Sequence, residues 1–286
     1  MKPWINTLAM SLVAFACSFS IATAGNTGKV QVNQSSIDDH KVCGNPCPGK
    51  GMPKYRVHTM LVSLNITDTP VGYEPPKGPA VPVTLTYNQR EAYQPADFTF
   101  FNLGKKWNFN WLSYVQDNPQ SPGSQVRVYL PGGGTRDYGG YNSSNNTFSP
   151  DQRTGAQLVR VTSTNYERRM PDGSQYIYSA SDGQQSYPRR IFLSQIRDAA
   201  GNAVTLHYDD QNRLIRLTDA IGQETLFDYK NADPLKITHV TDPFGRTADI
   251  HYDTSGRLIS ITDAINMTST FTYDSGTFIS SMTTPY

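Results

Sequence analysis

The chain has 286 residues, enough for one large domain or two ordinary ones, and its 25 basic side chains nearly balance its 24 acidic ones. This balance gives no support to a nucleic-acid partner or an anionic membrane partner. With 17 tyrosines, 22 glycines and 19 prolines and no long apolar helical pattern, the composition favours an all-β protein.

Residues 1–24 have the pattern of a secretory signal peptide. Lys2 supplies a positive end, an apolar run extends from Leu8 to Ala16, and Ala22-Thr23-Ala24 is a small-x-small cleavage signal. The apolar run is too short to span a membrane. Lipidation at Cys17 is the alternative, and the bulky Phe15 disfavours it. We therefore expect cleavage after Ala24, a secreted or periplasmic product, and no membrane span in the mature chain.

Residues 25–54 are expected to form an extended, polar lead-in that contains a cysteine loop. Cys43 and Cys47 enclose Gly-Asn-Pro, a segment that can turn, and an oxidising compartment would favour a disulfide between them. A zinc site would add His40 and His58, but this spacing lacks a well-placed fourth ligand. The sequence leaves the pairing of the two cysteines open and predicts no metal site.

Residues 55–190 are expected to form an N-terminal β region. A β-like run from Tyr55 to Leu64 is broken around His58, and Val83–Tyr87 alternates as a strand does. The proline-rich stretch from Thr69 to Pro82 is predicted to be an extended connector, because proline cannot donate ladder hydrogen bonds.

An aromatic block follows, in which Trp107, Phe109 and Trp111 occupy alternating positions. On a strand, all three would project from one face. They could form a stacking platform for a sugar, the buried face of a sandwich strand, or a plug that closes a repeat array. Large aromatic side chains on one strand face are more often core, so burial is favoured.

The rest of the N-terminal region alternates turns and strands. Pro171-Asp172-Gly173-Ser174 is typical of a hairpin turn, because Gly173 tolerates a positive φ. Pro131–Gly134 is a turn rather than a phosphate cradle, since neither a helical pattern nor a Lys-Ser/Thr pair follows it. Short strands are expected at 126–130, 158–162 and 191–196, and loops at 117–124 and 138–150.

A fixed period of about 21 to 23 residues organises residues 191–286. Its first markers are four aspartates, Asp198, Asp219, Asp242 and Asp263. Three positions after each comes Gly201, Gly222, Gly245 or Asn266, and ten positions after each comes Tyr208, Tyr229, Tyr252 or Tyr273. Such a register predicts a stacked repeat architecture.

Each repeat is expected to be a hairpin. Asp opens a turn with its side chain on nearby amides, and Gly takes the left-handed position. Val204, Leu206 and Tyr208 share one strand face, which a single hairpin cannot bury unless its neighbours stack against it. The two extra residues of the second repeat fall around Asn231–Pro234, at a turn that tolerates insertion.

Tyr252-Asp253-Thr-Ser-Gly256-Arg257-Leu258, combined with these Asp-x-x-Gly corners, resembles the RHS/YD-repeat family. Asn212-Arg213-Leu214 matches with Asn for Gly, the Tyr229 copy lacks Tyr-Asp and Arg-Leu, and the Tyr273 copy keeps Tyr-Asp. The resemblance covers about a third of the chain. It implies β-hairpins wound into a hollow shell, which commonly encloses a C-terminal toxin or other effector released by self-cleavage. The sequence shows neither a self-cleavage core nor an effector and stops at Pro285-Tyr286 within a repeat, so we expect the N-terminal portion of a truncated shell.

The expected fold is therefore all-β, with antiparallel hairpins in which an N-terminal sandwich-like region runs into a YD-repeat sheet that forms a partial shell. The expected function is a non-catalytic structural or interaction module, whose partner is a further RHS-repeat chain or an effector. The alternative is a surface module of carbohydrate-binding or adhesin type, with a glycan as ligand. Asp209 and Asp210 are adjacent and would point to opposite faces of a strand, and His207 and His251 hold equivalent repeat positions, so no catalytic or cofactor-binding residues are predicted.

Overall fold

A computed structural model describes residues 53–58 and 62–285. All of its named strands pair antiparallel, and the described residues contain no helix, which confirms the all-β expectation. The predicted signal peptide of residues 1–24 and the Cys43–Cys47 pair lie outside the described residues. Within the described residues, no helix has the length and apolar character needed to cross a bilayer.

The first strands form a four-stranded sheet, hereafter the small sheet. Its strands are β1 (Lys54–His58), β2 (Ser63–Tyr73), β3 (Val81–Asn88) and β4 (Trp107–Phe109), paired in chain order. Along β3, Val81, Val83, Leu85 and Tyr87 are buried and alternate with half-buried residues. This period-two pattern is the one expected of a strand with one face on the core.

The prediction of an extended connector from Thr69 to Pro82 is wrong at both ends of this stretch, because β2 continues to Tyr73 and β3 begins at Val81. Pro70 lies within a break in register between β2 and β3, where an unpaired residue loses no ladder hydrogen bond. Pro82 lies near the start of β3, beyond the residues that pair with β4. Both prolines therefore occupy positions where a strand tolerates the missing N–H.

A second sheet contains the remaining strands, and β8 to β19 follow one another in it in chain order. Three further strands extend it sideways, because β5 pairs with β11 and β6, and β6 pairs with β7. These three are β5 (Tyr114–Asp117), β6 (Val126–Tyr129) and β7 (Thr135–Tyr138). The next four are β8 (Gln157–Thr162), β9 (Asn165–Arg169), β10 (Gln175–Ser181) and β11 (Arg189–Arg197).

The periodic part of the sequence supplies the last eight strands, hereafter the repeat wall. They are β12 (Ala203–Tyr208), β13 (Leu214–Thr218), β14 (Glu224–Asp228), β15 (His239–Thr241), β16 (Thr247–Tyr252), β17 (Leu258–Thr262), β18 (Thr268–Tyr273) and β19 (Ile279–Thr283). Each pairs with the next, which confirms that the hairpins stack edge to edge. The Asn231–Pro234 insertion lies in the loop between β14 and β15. The sheet continues without a break from β10 to β11, across the proposed boundary at residues 190 and 191.

The core lies between the small sheet and the large one, and it is rich in aromatic side chains. Trp107 packs against Phe271 with ring centroids 5.0 Å apart, and Phe109 lies 6.2 Å from Phe227. Trp107, Phe109 and Trp111 are at most 2 % exposed, so the favoured burial of this aromatic run is confirmed. Trp111 lies past the end of β4, where its indole Nε1 donates to the Pro82 carbonyl at 2.6 Å. These three rings therefore offer no surface for sugar stacking.

Candidate functional site

The repeated aspartates form hairpin corners of one geometry. In each, Oδ1 accepts hydrogen bonds at 2.8 to 2.9 Å from the backbone N–H groups two and four residues further on. The residue three positions on has a positive φ of 85°, 87°, 76° and 62° at Gly201, Gly222, Gly245 and Asn266 respectively. Positive φ is readily adopted by glycine and tolerated by asparagine, so each corner has a residue suited to its backbone.

In three of the four corners, the second carboxylate oxygen has a partner of its own. Asp198 Oδ2 accepts from the Asn202 amide at 2.8 Å, and Asp242 Oδ2 accepts from Arg246 Nε at 2.7 Å. Asp219 Oδ2 accepts from the hydroxyl of Tyr73, which belongs to the small sheet, at 3.1 Å. Oδ1 thus builds the turn, whereas Oδ2 is available for contacts that differ from repeat to repeat.

The repeated tyrosines join consecutive hairpins, and we call these contacts the tyrosine clasps. Each hydroxyl donates to a backbone carbonyl fifteen residues earlier. The pairs are Tyr208 to Leu193 at 2.6 Å, Tyr229 to Leu214 at 2.7 Å, Tyr252 to Ile237 at 2.7 Å, and Tyr273 to Leu258 at 2.6 Å. The contact therefore repeats with the sequence period.

The carbonyls that accept these bonds lie where strand pairing stops. The β13–β14 ladder reaches Arg216, and Leu214 lies two residues before it. The β17–β18 ladder likewise reaches Ser260, and Leu258 lies two residues before that. A buried carbonyl without a partner is costly. The tyrosine hydroxyl supplies the missing donor at the point where two strands separate.

A second corner follows the tyrosine in the best-preserved repeats. Asp209 Oδ1 accepts from the Arg213 backbone N–H at 2.9 Å, and its Oδ2 accepts from Arg213 Nε at 2.7 Å. Asp253 and Arg257 form the same two bonds, at 2.9 and 2.7 Å. The Tyr-Asp-x-x-Gly/Asn-Arg pattern is thus a hairpin turn closed by an ion pair.

The arginine of each such corner also reaches the next repeat. The Arg213 guanidinium lies 4.9 Å from the ring centroid of Tyr229, and that of Arg257 lies 5.1 Å from Tyr273. Arg257 Nη1 also donates to the carbonyls of Asp274 and Gly276, at 3.1 and 3.0 Å. Each arginine therefore covers the ring of the following clasp and holds the loop after it.

In the second repeat, which lacks Arg-Leu, a lysine takes this position. Lys236 Nζ lies 5.7 Å from the Tyr252 ring centroid and donates to the side-chain oxygen of Asn102. Its side chain is buried, and burial lowers the pKa of its ammonium group. Asn102 also joins Lys236 in an isolated parallel bridge. The inserted loop thus docks on the segment that precedes β4.

Further hydrogen bonds hold the small sheet on the repeat wall. Trp107 Nε1 donates to the Tyr273 hydroxyl at 2.8 Å, so the last clasp is bonded to both layers. Arg246 Nη2 donates to the Gly72 carbonyl at 3.0 Å. The Ala264 N–H donates to the Pro70 carbonyl at 3.1 Å. The bulge that accommodates Pro70 therefore leaves a carbonyl available to the wall.

One contact region between the layers is electrostatically unfavourable. Asp68 and Asp263 are 4 % and 5 % exposed, and within the described residues Asp68 Oδ1 and Asp263 Oδ2 have no hydrogen-bond partner. Burial raises the pKa of Asp68 to about 6, the Thr69 N–H opposes this rise, and the charge of Asp263 adds to it. At neutral pH the folded protein therefore holds a buried carboxylate with incomplete compensation.

Of the residues considered for catalysis, Asp209 and His207 are held in structural contacts. Asp209 closes a corner, whereas the adjacent Asp210 is exposed. His207 Nε2 lies 3.0 Å from the Thr218 hydroxyl oxygen, and burial together with Arg216 lowers its pKa. In residues 53–58 and 62–285, no group of three or more His, Cys, Asp or Glu side chains is placed to hold a metal ion.

Comparison with known families agrees with this geometry. The family described as RHS Repeat matches residues 208–247 and 252–286. Residues 208–247 and 252–286 of this chain are therefore RHS repeats. Both matched segments begin at a clasp tyrosine, Tyr208 or Tyr252. No curated protein matched the chain.

Several residues that join the RHS repeats were not predicted to do so. Arg213 and Arg257 occupy equivalent positions, and this recurrence was the signal that they hold one repeat on the next. Lys236 and Asn102 are 134 positions apart, and no local pattern indicates their contact.

Proposed function

We propose that this chain is a non-catalytic structural and interaction module, part of the RHS-repeat shell of a secreted protein. Its repeat wall extends by adding strands at β19. The repeat family and the stacked hairpins support a structural role. The partner at β19 is a further run of RHS repeats, in the same protein or in another chain. If the partner is an effector enclosed by the shell, the assembled wall would hold it, and β19 alone would not.

The observation that carries this proposal is the position of Ile279. It stands in the repeat where Leu214, Ile237 and Leu258 stand, and each of those carbonyls accepts a tyrosine clasp. Within the described residues, no tyrosine hydroxyl donates to the Ile279 carbonyl, and β19 pairs only with β18. An edge strand with open backbone groups is a template for another strand. The next repeat would supply both that strand and its tyrosine.

The test adds a copy of residues 266–286 directly after Tyr286, which continues the period in register. We expect a higher Tm and amide exchange in β19 slower by about tenfold or more. A matched version with Tyr273→Phe in the added copy should show a smaller gain, and a scrambled copy should show none. Unchanged exchange in β19 with the intact copy would contradict the proposal. Secretion is tested separately, by the first residue of the mature chain, which should be Gly25.

A further inference from the structure

Two adjoining cavities lie beside β5 and β6, away from the repeat wall. The first has a volume of about 270 Å³ and the second about 320 Å³. Gln116 and Arg127 line both, so the two form one elongated cleft. Neither the tyrosine clasps nor the corners contribute to it.

The first cavity is lined by two guanidinium groups, Arg127 and Arg190, and by no carboxylate. Arg127 is paired with Asp137 at 2.7 Å, on the side of the second cavity. Arg190 forms no salt bridge with any described residue, and its Nε has no hydrogen-bond partner there. Its guanidinium lies 5.3 Å from the Phe100 ring centroid and 5.8 Å from that of Tyr114. A cation held on aromatic rings without a counter-ion favours an anionic ligand group.

The aromatic rings that line the cleft range from buried to exposed. Tyr114 and Tyr129 stack with centroids 5.0 Å apart and form a buried floor. Tyr93 is 54 % exposed in the first cavity, and Tyr187 is 57 % exposed in the second. Gln116 Nε2 donates to the Tyr187 hydroxyl at 2.9 Å. Exposed rings with hydroxyl and amide groups beside them can pack on the C–H face of a sugar and bond to its hydroxyls.

We propose that this cleft binds an acidic saccharide. The sugar carboxylate lies in the first cavity and pairs with Arg190, with Arg127 at its border. The ring of that sugar packs on Tyr93, and the adjoining sugar extends toward Tyr187. A phosphate polymer is disfavoured, because a chain with a net charge of +1 lacks the basic surface that such polymers require. This role is additional to the structural one and does not depend on it.

The test is a glycan array that carries uronate, sialate, sulfated and neutral oligosaccharides, followed by titration of the glycans retained. We expect carboxylate-bearing glycans to bind, and their carboxyl-reduced forms to bind about tenfold more weakly or worse. Arg190→Gln should weaken binding by a similar factor, and Tyr93→Ala should also weaken it. Arg153→Gln is the matched control, because it makes the same charge change at an exposed arginine outside the cleft. It should bind as the wild type does.

Failure of every carboxylate-bearing glycan to bind would overturn the proposal, as would an Arg190→Gln variant that binds normally. Binding of sulfated glycans alone would overturn the carboxylate assignment. If Arg190→Gln fails to fold, as judged by circular dichroism, glycan binding by the Arg127→Gln and Tyr93→Ala variants tests the site instead. Wild-type affinity in both would then contradict the proposed site.

Discussion

The tyrosine hydroxyl is the smallest group that joins one repeat to the next. Its ring belongs to one hairpin, and its hydrogen bond reaches the carbonyl of the preceding one. Burial raises the pKa of Tyr252 well above its ordinary value, so this hydroxyl stays protonated as a donor.

Tyr252→Phe removes that donor and keeps the ring. The Ile237 carbonyl then has no clasp, and we expect the free energy of unfolding to fall by about 1 to 2 kcal/mol. Urea denaturation measures the change. Tyr55→Phe removes a hydroxyl from a side chain that is 65 % exposed and should be nearly neutral. Equal effects of the two substitutions would show that the clasp contributes nothing specific.

Asp68 predicts a pH dependence opposite to that of an ordinary ion-paired carboxylate. Its pKa is about 6 in the folded protein and 3.8 as the reference for the unfolded chain. Between these two pKa values, the folded state binds the Asp68 proton more tightly than the unfolded state does. The Asp68 carboxylate therefore destabilises the folded protein fully above pH 6, and this effect disappears as the pH falls toward 3.8. Asp68→Asn should stabilise the protein by about 2 to 3 kcal/mol at pH 7. This gain should decrease as the pH is lowered to 4.

Unfolding free energies of wild type and Asp68→Asn at several pH values test this prediction. Their difference isolates Asp68, because the depressed pKa values of Asp151 and Asp253 affect both proteins alike. Asp97→Asn makes the same charge change at an exposed site and should not reproduce the gain. A gain that is constant between pH 4 and pH 7 would exclude titration of Asp68 as its cause.

At the scale of the elements, the hairpin corner depends on backbone conformation rather than on space. Gly245 has a φ of 76°, and nothing lies within 4 Å of the position that a Cβ would take. Asn266 occupies the equivalent corner with a φ of 62°.

Gly245→Ala should therefore destabilise the protein by about 1 to 2 kcal/mol through left-handed strain alone. Gly245→Asn should cost less, because asparagine tolerates this conformation. Thermal or urea unfolding of both variants measures the difference. If alanine and asparagine cost the same, the corner does not require a left-handed residue.

Periodicity made the repeat hairpins predictable, because turn chemistry and strand alternation are both local. The same local reasoning failed between Thr69 and Pro82, where the register break that accommodates Pro70 depends on the partner strand. Strand β7 was not predicted either, because Thr135–Tyr138 is short and Tyr138 is its only buried residue. The corners could thus be predicted from sequence, whereas the cleft beside β5 and β6 depends on pairings between distant strands.

At the scale of the molecule, the small sheet and the repeat wall share one core. The Trp107 ring packs on Phe271 of the wall and on Tyr87 of its own sheet, at 5.0 and 5.5 Å. Tyr87 in turn bonds to the start of β19 and to the loop before it. Its hydroxyl donates to the Thr277 carbonyl and accepts from the Ile279 N–H, both at 3.2 Å. The small sheet is thereby fastened to the end of the wall where we propose that strands are added.

This shared core predicts that the two sheets unfold together. Trp107→Phe removes the bond to Tyr273 and part of the ring packed on Phe271, and we expect a loss of about 2 to 3 kcal/mol. The urea midpoint should fall by the same amount whether it is followed by fluorescence or by far-UV circular dichroism. Hydrogen exchange should quicken in β17 to β19 as well as in β3 and β4. If the circular dichroism midpoint stays at the wild-type value while the fluorescence midpoint shifts, the wall folds independently of the small sheet. In that case the repeat wall could fold, and further repeats could add at β19, without the small sheet.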